Sequence, residues 1–485
     1  MESVPESPPR FRTAEDVRRR VPLHVVWELT LACDLKCAHC GSRAGRRRKQ
    51  ELNTREVLEV IDAFARLGTR EVSLIGGEAY LRDDLPEIIS AIRSHGIYCA
   101  IQTGGRNFTP ARMRRAIDAG LNGIGVSLDG LEILHDRLRG VKGSFRAALA
   151  TLRRAKDAGL RTSVSTQIGS KTAGDLSGLF EVISQAGAQQ WQVQLTVPIG
   201  NAADHDELLL QPWELIHVMP VLADLYVKGL ERGVLLLAGN NIGYFGPYER
   251  LWRGYADERE HWKGCTAGIN VLALESDGTV KGCPSLPTAR FASGNVRDLS
   301  LEQIWRSEKP RARSAAGSFE QLWGFCRHCY YAADCMGGCT WMADALFGRA
   351  GNNPYCHFRA LELAKAGLRE RVVPTQAAAA LPFATGRFAL VLERTETKEI
   401  VQITPAPSAL LNLDVATAAQ NSTRAPGLHL CGACETYIRD EELVCPHCGS
   451  EATQAAHSHM EDHRRRRELM AEVSRLIATH QGGAG

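Results

Sequence analysis

Three cysteines, Cys33, Cys37 and Cys40, are spaced x3 and then x2 in one short stretch. Thiolates this close can converge on a single metal centre, and an odd number leaves one coordination position without a cysteine. An open position admits a reacting molecule; the alternative is a closed zinc knuckle completed by His39 or an outside ligand. Seven more cysteines follow at Cys265, Cys283, Cys326, Cys329, Cys335, Cys339 and Cys356. A last group, Cys431-x2-Cys434-x10-Cys445-x2-Cys448, reads as two knuckles at zinc-ribbon spacing, with Gly432, Pro446 and Gly449 supplying the tight turns. Four-thiolate closed sites are structural, and a rubredoxin-type iron fits the same spacing. Of 15 cysteines only Cys99 lies apart, in the apolar run IYCAIQT, where a buried inert thiol is expected.

The background composition narrows the context. In 485 residues, 44% hydrophobic and 23% charged, there is enough apolar material for about three folded domains. Fifty-eight basic against 55 acidic side chains leave +3, too weak a field to argue for nucleic acid or a membrane surface. The opening MESVPESPPRFR lacks the apolar run of a secretory signal, and no stretch reaches the roughly 18 apolar residues of a membrane span. These features predict a cytoplasmic protein without a nucleic-acid or membrane partner. Its thiols would stay reduced, so the cysteines serve metal or catalysis rather than disulfides.

The elements that must position these residues show in the hydrophobic periodicity. Residues 1–21, Pro-rich and charged, form a loose arm. From 22 to 239, apolar runs such as LHVVWELT, REVSLIGG and WQVQLTVPIG alternate with helical patterns near 54–67, 84–95, 110–119, 144–159, 174–187 and 211–232. Six strand-helix units predict an α/β fold built on a partial (β/α)6 TIM-like barrel, with chemistry at the C-terminal strand ends. There fall the Cys33 to Cys40 loop, Gly76-Gly77-Glu78, Thr103-Gly104-Gly105 and Ser127-Leu128-Asp129-Gly130. Residues 240–264 bridge to the next domain; their Tyr244, Phe245, Tyr248, Trp252 and Trp262 either shape a substrate pocket or seal a junction. Residues 265–370 are loop-rich and need metal to hold them together. Residues 371–425 read as a linker with a hairpin at RFALVLER and EIVQI, and 426–485 as the zinc-ribbon-like module followed by a charged helix near 460–479. The chain beyond about residue 375 is therefore expected to be dispensable for chemistry in the barrel. Of the basic runs, Arg46 to Lys49 reads as a solvated face or a dock for an acidic peptide, and Arg464 to Arg467 as a solvated face.

Cys-x3-Cys-x2-Cys after the first strand, Gly-Gly-Glu after the second and Ser-Leu-Asp-Gly after the fourth together resemble the radical S-adenosylmethionine superfamily. Cys265-x12-Gly278-x4-Cys283, then Cys326-x2-Cys329-x5-Cys335-x3-Cys339 and Cys356, resembles its seven-cysteine SPASM extension. The resemblance implies that Cys33, Cys37 and Cys40 hold a [4Fe-4S] cluster whose fourth iron binds S-adenosyl-L-methionine. It implies that Gly76, Gly77 and Glu78 receive the methionyl amino group, with Ala79 in place of the usual proline. Thr103 lies in a similar strand-end motif, Ser127 is similar to the ribose contact, and Val197 to Gly200, including Pro198, resembles the segment near the adenine. Two auxiliary [4Fe-4S] clusters are implied, the outer on Cys326, Cys329, Cys335 and Cys356. The inner falls to Cys265, Cys283 and Cys339; residues 266–282 hold no further cysteine, leaving its fourth ligand unassigned. With a structural Zn2+ in the ribbon, the expected complement is three clusters and one zinc.

By this resemblance an electron from the first cluster cleaves S-adenosylmethionine to a 5′-deoxyadenosyl radical, which abstracts hydrogen from an unactivated C–H bond. The implied role is an oxidoreductase that matures a ribosomally synthesised peptide through a cross-link, thioether or side-chain oxidation. The partners would be a precursor peptide, a flavodoxin- or ferredoxin-type electron donor and a separate leader-recognition protein, since the residues before the first strand are too few for a leader-binding domain. Action on a small molecule such as a tetrapyrrole, and a non-catalytic metal-bound scaffold, are the alternatives.

Overall fold

The structure is a computed structural model that describes residues 10, 12–253, 259–307, 309, 319–404, 427–434 and 436–451. The expected helix near 460–479, Arg464 to Arg467, much of the N-terminal arm and all of 405–425 lie outside these residues.

Seven parallel strands form the barrel wall in chain order: β1 (His24–Thr30), β2 (Glu71–Gly76), β3 (Tyr98–Thr103), β4 (Gly123–Ser127), β5 (Arg161–Ile168), β6 (Gln190–Leu195) and β7 (Leu235–Ala238). Each strand reads two ways because successive side chains point to opposite faces. On β6, Trp191, Val193 and Leu195 are fully buried under helices, whereas Gln190, Gln192 and Gln194 face the barrel cavity. On β5, Val164 and Ile168 are buried while Ser163, Ser165 and Gln167 line that cavity. Cys99 is on the buried outer face of β3, and burial pushes its thiol up to about 12, consistent with an inert core residue.

The helices Thr54–Leu67, Leu85–Ser94, Pro110–Asp118, Ser144–Asp157, Leu176–Gln185 and Leu215–Glu231 occupy the six anticipated positions. A seventh, Glu132–Arg139, is inserted after β4 and was not expected; its sequence, EILHDRLR, is short and polar, so no helical stripe announces it. The stretch Asp206–Glu231 is long and apolar enough to cross a bilayer by length and composition, and half of its apolar window is buried inside the fold.

The barrel sheet continues into the next domain. Strand β8 (Val271–Leu274) pairs parallel with β1, and β9 (Thr279–Lys281) and β10 (Gly294–Asn295) extend it antiparallel into one ten-stranded sheet. Arg48 fastens this seam, with Nη2 2.9 Å from both Glu28 and Glu275 and Nη1 3.3 Å from Asp277. The first basic run therefore spends one of its charges on three carboxylates.

Residues 368–404 are a folded unit rather than a linker. Strands β11 (Leu368–Gln376), β12 (Arg387–Arg394) and β13 (Ile400–Thr404) form an antiparallel sheet whose Phe388 and Leu390 join the main core. The last two strands are the anticipated hairpin. The connection 377–386 crosses back to the barrel: Phe383 N donates to Gly41 O at 2.9 Å, Gly200 N donates to Ala384 O at 2.8 Å, and Ile199 bridges Thr385. The ribbon contributes β14 (Leu428–Leu430) and β15 (Tyr437–Arg439).

The candidate cluster and cofactor site

Residues 31–45 form a loop beyond β1 that other segments hold in place. Cys33 N donates to Gly45 O at 3.2 Å, while Lys36 N and Ala38 N donate to Arg139 O and Leu138 O at 3.0 and 2.8 Å. The inserted helix thus ends against the cysteines. Gly140, at φ 66°, permits this contact, since a Cβ there would sit 2.5 Å from Lys36 O. Amides at Leu35 and Ala44 donate to the Sγ atoms of Cys33 and Cys40, both at 3.4 Å, and Arg139 Nη1 lies 3.7 Å from Cys37 Sγ. Burial, with Glu78 nearby, pushes the Cys33 thiol up to about 12, and burial, partly offset by Arg139, pushes Cys37 up to about 11. Donors aimed at sulfur, beside a guanidinium, are what a buried thiolate-bound metal requires.

Glycine has a specific task in Gly76-Gly77-Glu78. Gly77 N and Glu78 N donate to Thr30 O and Ala32 O, both at 2.7 Å, bringing β2 so close to β1 that a Cβ at Gly77 would lie 2.1 Å from Ala32 O. Glu78 is thereby set beside Cys33. Its carboxylate accepts from Gly104 N at 2.7 Å and from the Thr103 hydroxyl; burial raises its pKa to about 7 despite these bonds. Thr103 is therefore a support for Glu78. Ser127 lines the cavity and accepts from Gln102 Nε2 at 3.1 Å.

His39 lies in the cysteine loop and Pro198 in a segment beside it. His39, considered as a zinc ligand, instead places Nε2 3.1 Å from Asp129 Oδ2, and Arg139 pairs with the same carboxylate. Burial opposes ionisation of Asp129, but Arg139 and His39 outweigh it and hold the carboxyl well below its usual range. Pro198 is buried and, like the rest of Val197 to Gly200, does not line the cavity; the segment packs on the cysteine loop, with Gly200 on Gly41 and Asn201 Nδ2 donating to Cys37 O at 2.9 Å. Asp129 belongs to the SLDG motif named from the sequence; Arg139 and Asn201 carry no local signal, because they reach Cys37 across 102 and 164 residues.

The cavity at these strand ends has a volume of about 620 Å³ and runs from the three cysteines down the barrel interior to His24 and Glu71.

The remaining cysteines gather as three sets. Cys326, Cys329, Cys335 and Cys356 line one void, walled by Tyr244, Phe245, Tyr331 and Phe358. Cys265, Cys283 and Cys339 form a second set: after burial, the other two are the neighbours that push Cys339 up to about 12. Asn240 Nδ2 lies 3.5 Å from Cys265 Sγ. Tyr244, in the electrostatic reach of Cys339, Cys335 and Cys356, stands between the two sets. The aromatic segment therefore seals a junction: Tyr244, Phe245, Trp252 and Trp262 are at most 6% exposed, and none lines the barrel cavity. In the third set, Cys431 and Cys448 Sγ are 3.9 Å apart and Cys434 and Cys445 Sγ 3.6 Å. A tetrahedral zinc with arms of about 2.3 Å has sulfur edges of about 3.8 Å, so these four thiols fit a closed zinc site.

Comparison with known proteins agrees with this geometry. The radical SAM superfamily profile matches residues 27–175, and the SPASM iron-sulfur cluster-binding domain matches 265–330. The chain thus carries a radical S-adenosylmethionine domain followed by a SPASM domain, and these domains imply four-iron clusters and S-adenosylmethionine. It is 29% identical to an AdoMet-dependent heme synthase of Methanosarcina barkeri, covering 70% of this chain and 97% of that one. It is also 29% identical to the mycofactocin maturase MftC of Mycobacterium ulcerans, covering 66% and 83%. SuiB of Streptococcus suis bound to S-adenosylmethionine shares the fold, with TM-score 0.53 at 18% identity over 68% of this chain and 76% of that one.

Proposed function

We propose that this enzyme is a cytoplasmic maturase of a ribosomally made peptide, forming a cross-link, thioether or oxidised side chain. The wall of the barrel cavity carries the reading. Gln102, Gln192, Gln194, Ser163 and Ser165 offer uncharged donors and acceptors of the kind a peptide backbone satisfies. The arginines that reach the cavity are engaged: Arg10 by Glu71, Arg139 by Asp129 and Arg161 by Tyr98. A tetrapyrrole brings several carboxylates, which uncommitted guanidinium groups would pair with best.

In this reading Cys33, Cys37 and Cys40 hold the cluster that binds S-adenosylmethionine; when bound, it supplies the electron for reductive cleavage of that cofactor. Glu78 accepts the methionyl N–H groups, oriented by Thr103 and Gly104. Gly76 and Gly77 keep that carboxylate against the cysteine loop. Ser127, braced by Gln102, holds the ribose, and Val197 to Gly200, stiffened by Pro198, borders the adenine. Arg139 offsets negative charge at Cys37. Cys326, Cys329, Cys335 and Cys356 hold the outer auxiliary cluster, Cys265, Cys283 and Cys339 the inner one, and the ribbon a zinc ion. A precursor peptide, a leader-recognition protein and a flavodoxin- or ferredoxin-type donor complete the system.

The likeness to a heme synthase favours a second reading, modification of a tetrapyrrole. Anaerobically reconstituted enzyme, given reductant and S-adenosylmethionine, separates the two when offered either a short peptide encoded beside its gene or iron-coproporphyrin. Mass change of the peptide with matching 5′-deoxyadenosine supports the maturase. Turnover of the porphyrin with an unchanged peptide would replace it with the second reading.

A further inference from the structure

The ribbon does not stand off from the molecule. It is seated on the void lined by Cys326, Cys329, Cys335 and Cys356, and three of that void's aromatic walls are backed by ribbon rings. His447 lies 5.7 Å from the Phe358 ring and 6.0 Å from Tyr331, while Tyr437 lies 6.0 Å from Phe245. Polar bonds fix the seat. Tyr331 Oη donates to Tyr437 O at 2.7 Å, Arg439 N donates to Tyr330 Oη at 2.7 Å, and Arg439 Nη1 pairs with Asp334 at 2.9 Å. Tyr330 and Tyr331 directly follow Cys329, and Asp334 directly precedes Cys335.

Two residues span the space between the metal sites. Tyr331 N donates to Cys329 Sγ at 3.4 Å, its hydroxyl lies 3.3 Å from His447 Nε2, and His447 N donates to Cys445 Sγ at 3.4 Å. Tyr331 is 1% exposed and Tyr437 2%, while His447 is half-buried.

We infer that the ribbon is an intramolecular cap on the outer auxiliary cluster, and that metal at Cys431, Cys434, Cys445 and Cys448 controls how far water reaches that cluster and hence its potential. The inference rests on assigning Cys326, Cys329, Cys335 and Cys356 to an iron-sulfur cluster. Without its metal the ribbon has little to fold around, since its own core is Cys431, Ile438 and Cys445. Its rings would then leave Tyr331, Phe358 and Phe245, admitting water to the sulfurs. A reduced cluster carries one more negative charge than an oxidised one, so water favours reduction and the potential rises.

The test compares full-length wild type with Cys434→Ser/Cys445→Ser, which removes the ribbon metal, and His447→Ala, which keeps the metal and removes the ring. Each reconstituted protein is challenged with an iron chelator and titrated by electron paramagnetic resonance. The cap predicts that the double variant loses the outer cluster's share of iron several-fold faster than wild type while the iron at Cys33, Cys37 and Cys40 stays. It also predicts a more positive outer-cluster potential in both variants. Wild-type release rates and potentials in both variants would overturn the cap, and so would equal loss from every cluster, which would make the ribbon a support for the whole fold. A wild-type protein lacking the outer iron altogether would instead refute the cluster assignment on which the cap rests.

Discussion

At Gly77 the smallest side chain is needed because two backbone segments meet. Alanine there would place Cβ 2.1 Å from Ala32 O, so the end of β2 would have to move away from the cysteine loop and take Glu78 with it. Gly77→Ala is expected to weaken S-adenosylmethionine binding by at least about tenfold, roughly 1.4 kcal/mol, measured by equilibrium dialysis of reconstituted protein. Wild-type affinity would show that the loop yields freely. At the cavity's far end, burial keeps the His24 imidazole neutral and lowers its pKa to about 3, with Arg10 adding repulsion and Glu71 offsetting part of it. An unfolded histidine titrates near 6.5, so below that pH the unfolded chain takes up a proton that the folded chain refuses. Stability should fall as pH drops from 6.5 toward 3, by about 2 kcal/mol at pH 5. His24→Gln should flatten this part of an anaerobic denaturation series, and an unchanged slope would place the proton elsewhere.

Among elements, the connection 377–386 has the largest consequence. Besides the Gly41 and Gly200 contacts, Arg43 Nε donates to Leu381 O at 3.2 Å and Lys281 Nζ sits 4.2 Å above the Phe383 ring. The expectation that everything beyond residue 375 is dispensable for barrel chemistry is therefore revised. Ending the chain after Gln376 removes β12, β13 and the strap over the cysteine loop. Ending it after Thr404 keeps all three. 5′-Deoxyadenosine formation should be lost or greatly reduced in the first and preserved in the second; equal activity would make the strap irrelevant to the loop. The alternating strands were legible because their period of two is local, and so were the long helices with an apolar stripe. Glu132–Arg139 was not, since its role is to bring Leu138 and Arg139 against the cysteine loop rather than to bury a broad face.

For the molecule as a whole, the three sets of thiols with the open loop predict about twelve irons and one zinc per chain after anaerobic reconstitution. Metal analysis near four irons would remove both auxiliary clusters. The barrel and the domain after it share one sheet, sealed by Arg48 and by the aromatic segment around Tyr244, so the clusters lie in a continuous body. By itself the sequence determined what local spacing can determine: thiols close enough to share a metal, glycines where backbone must approach backbone, and the two faces of each strand. It left open every relation that depends on which distant segments meet. Only the tertiary structure turned His39 to Asp129, set Arg139 beside Cys37, spent Arg48 on three carboxylates, and brought residues 338 positions apart into contact at Arg43 and Leu381. The same folding seated the ribbon on Tyr331. Spacing within a loop is fixed by bond geometry over a few residues, whereas these contacts follow from strand order and packing, which no short stretch of sequence encodes.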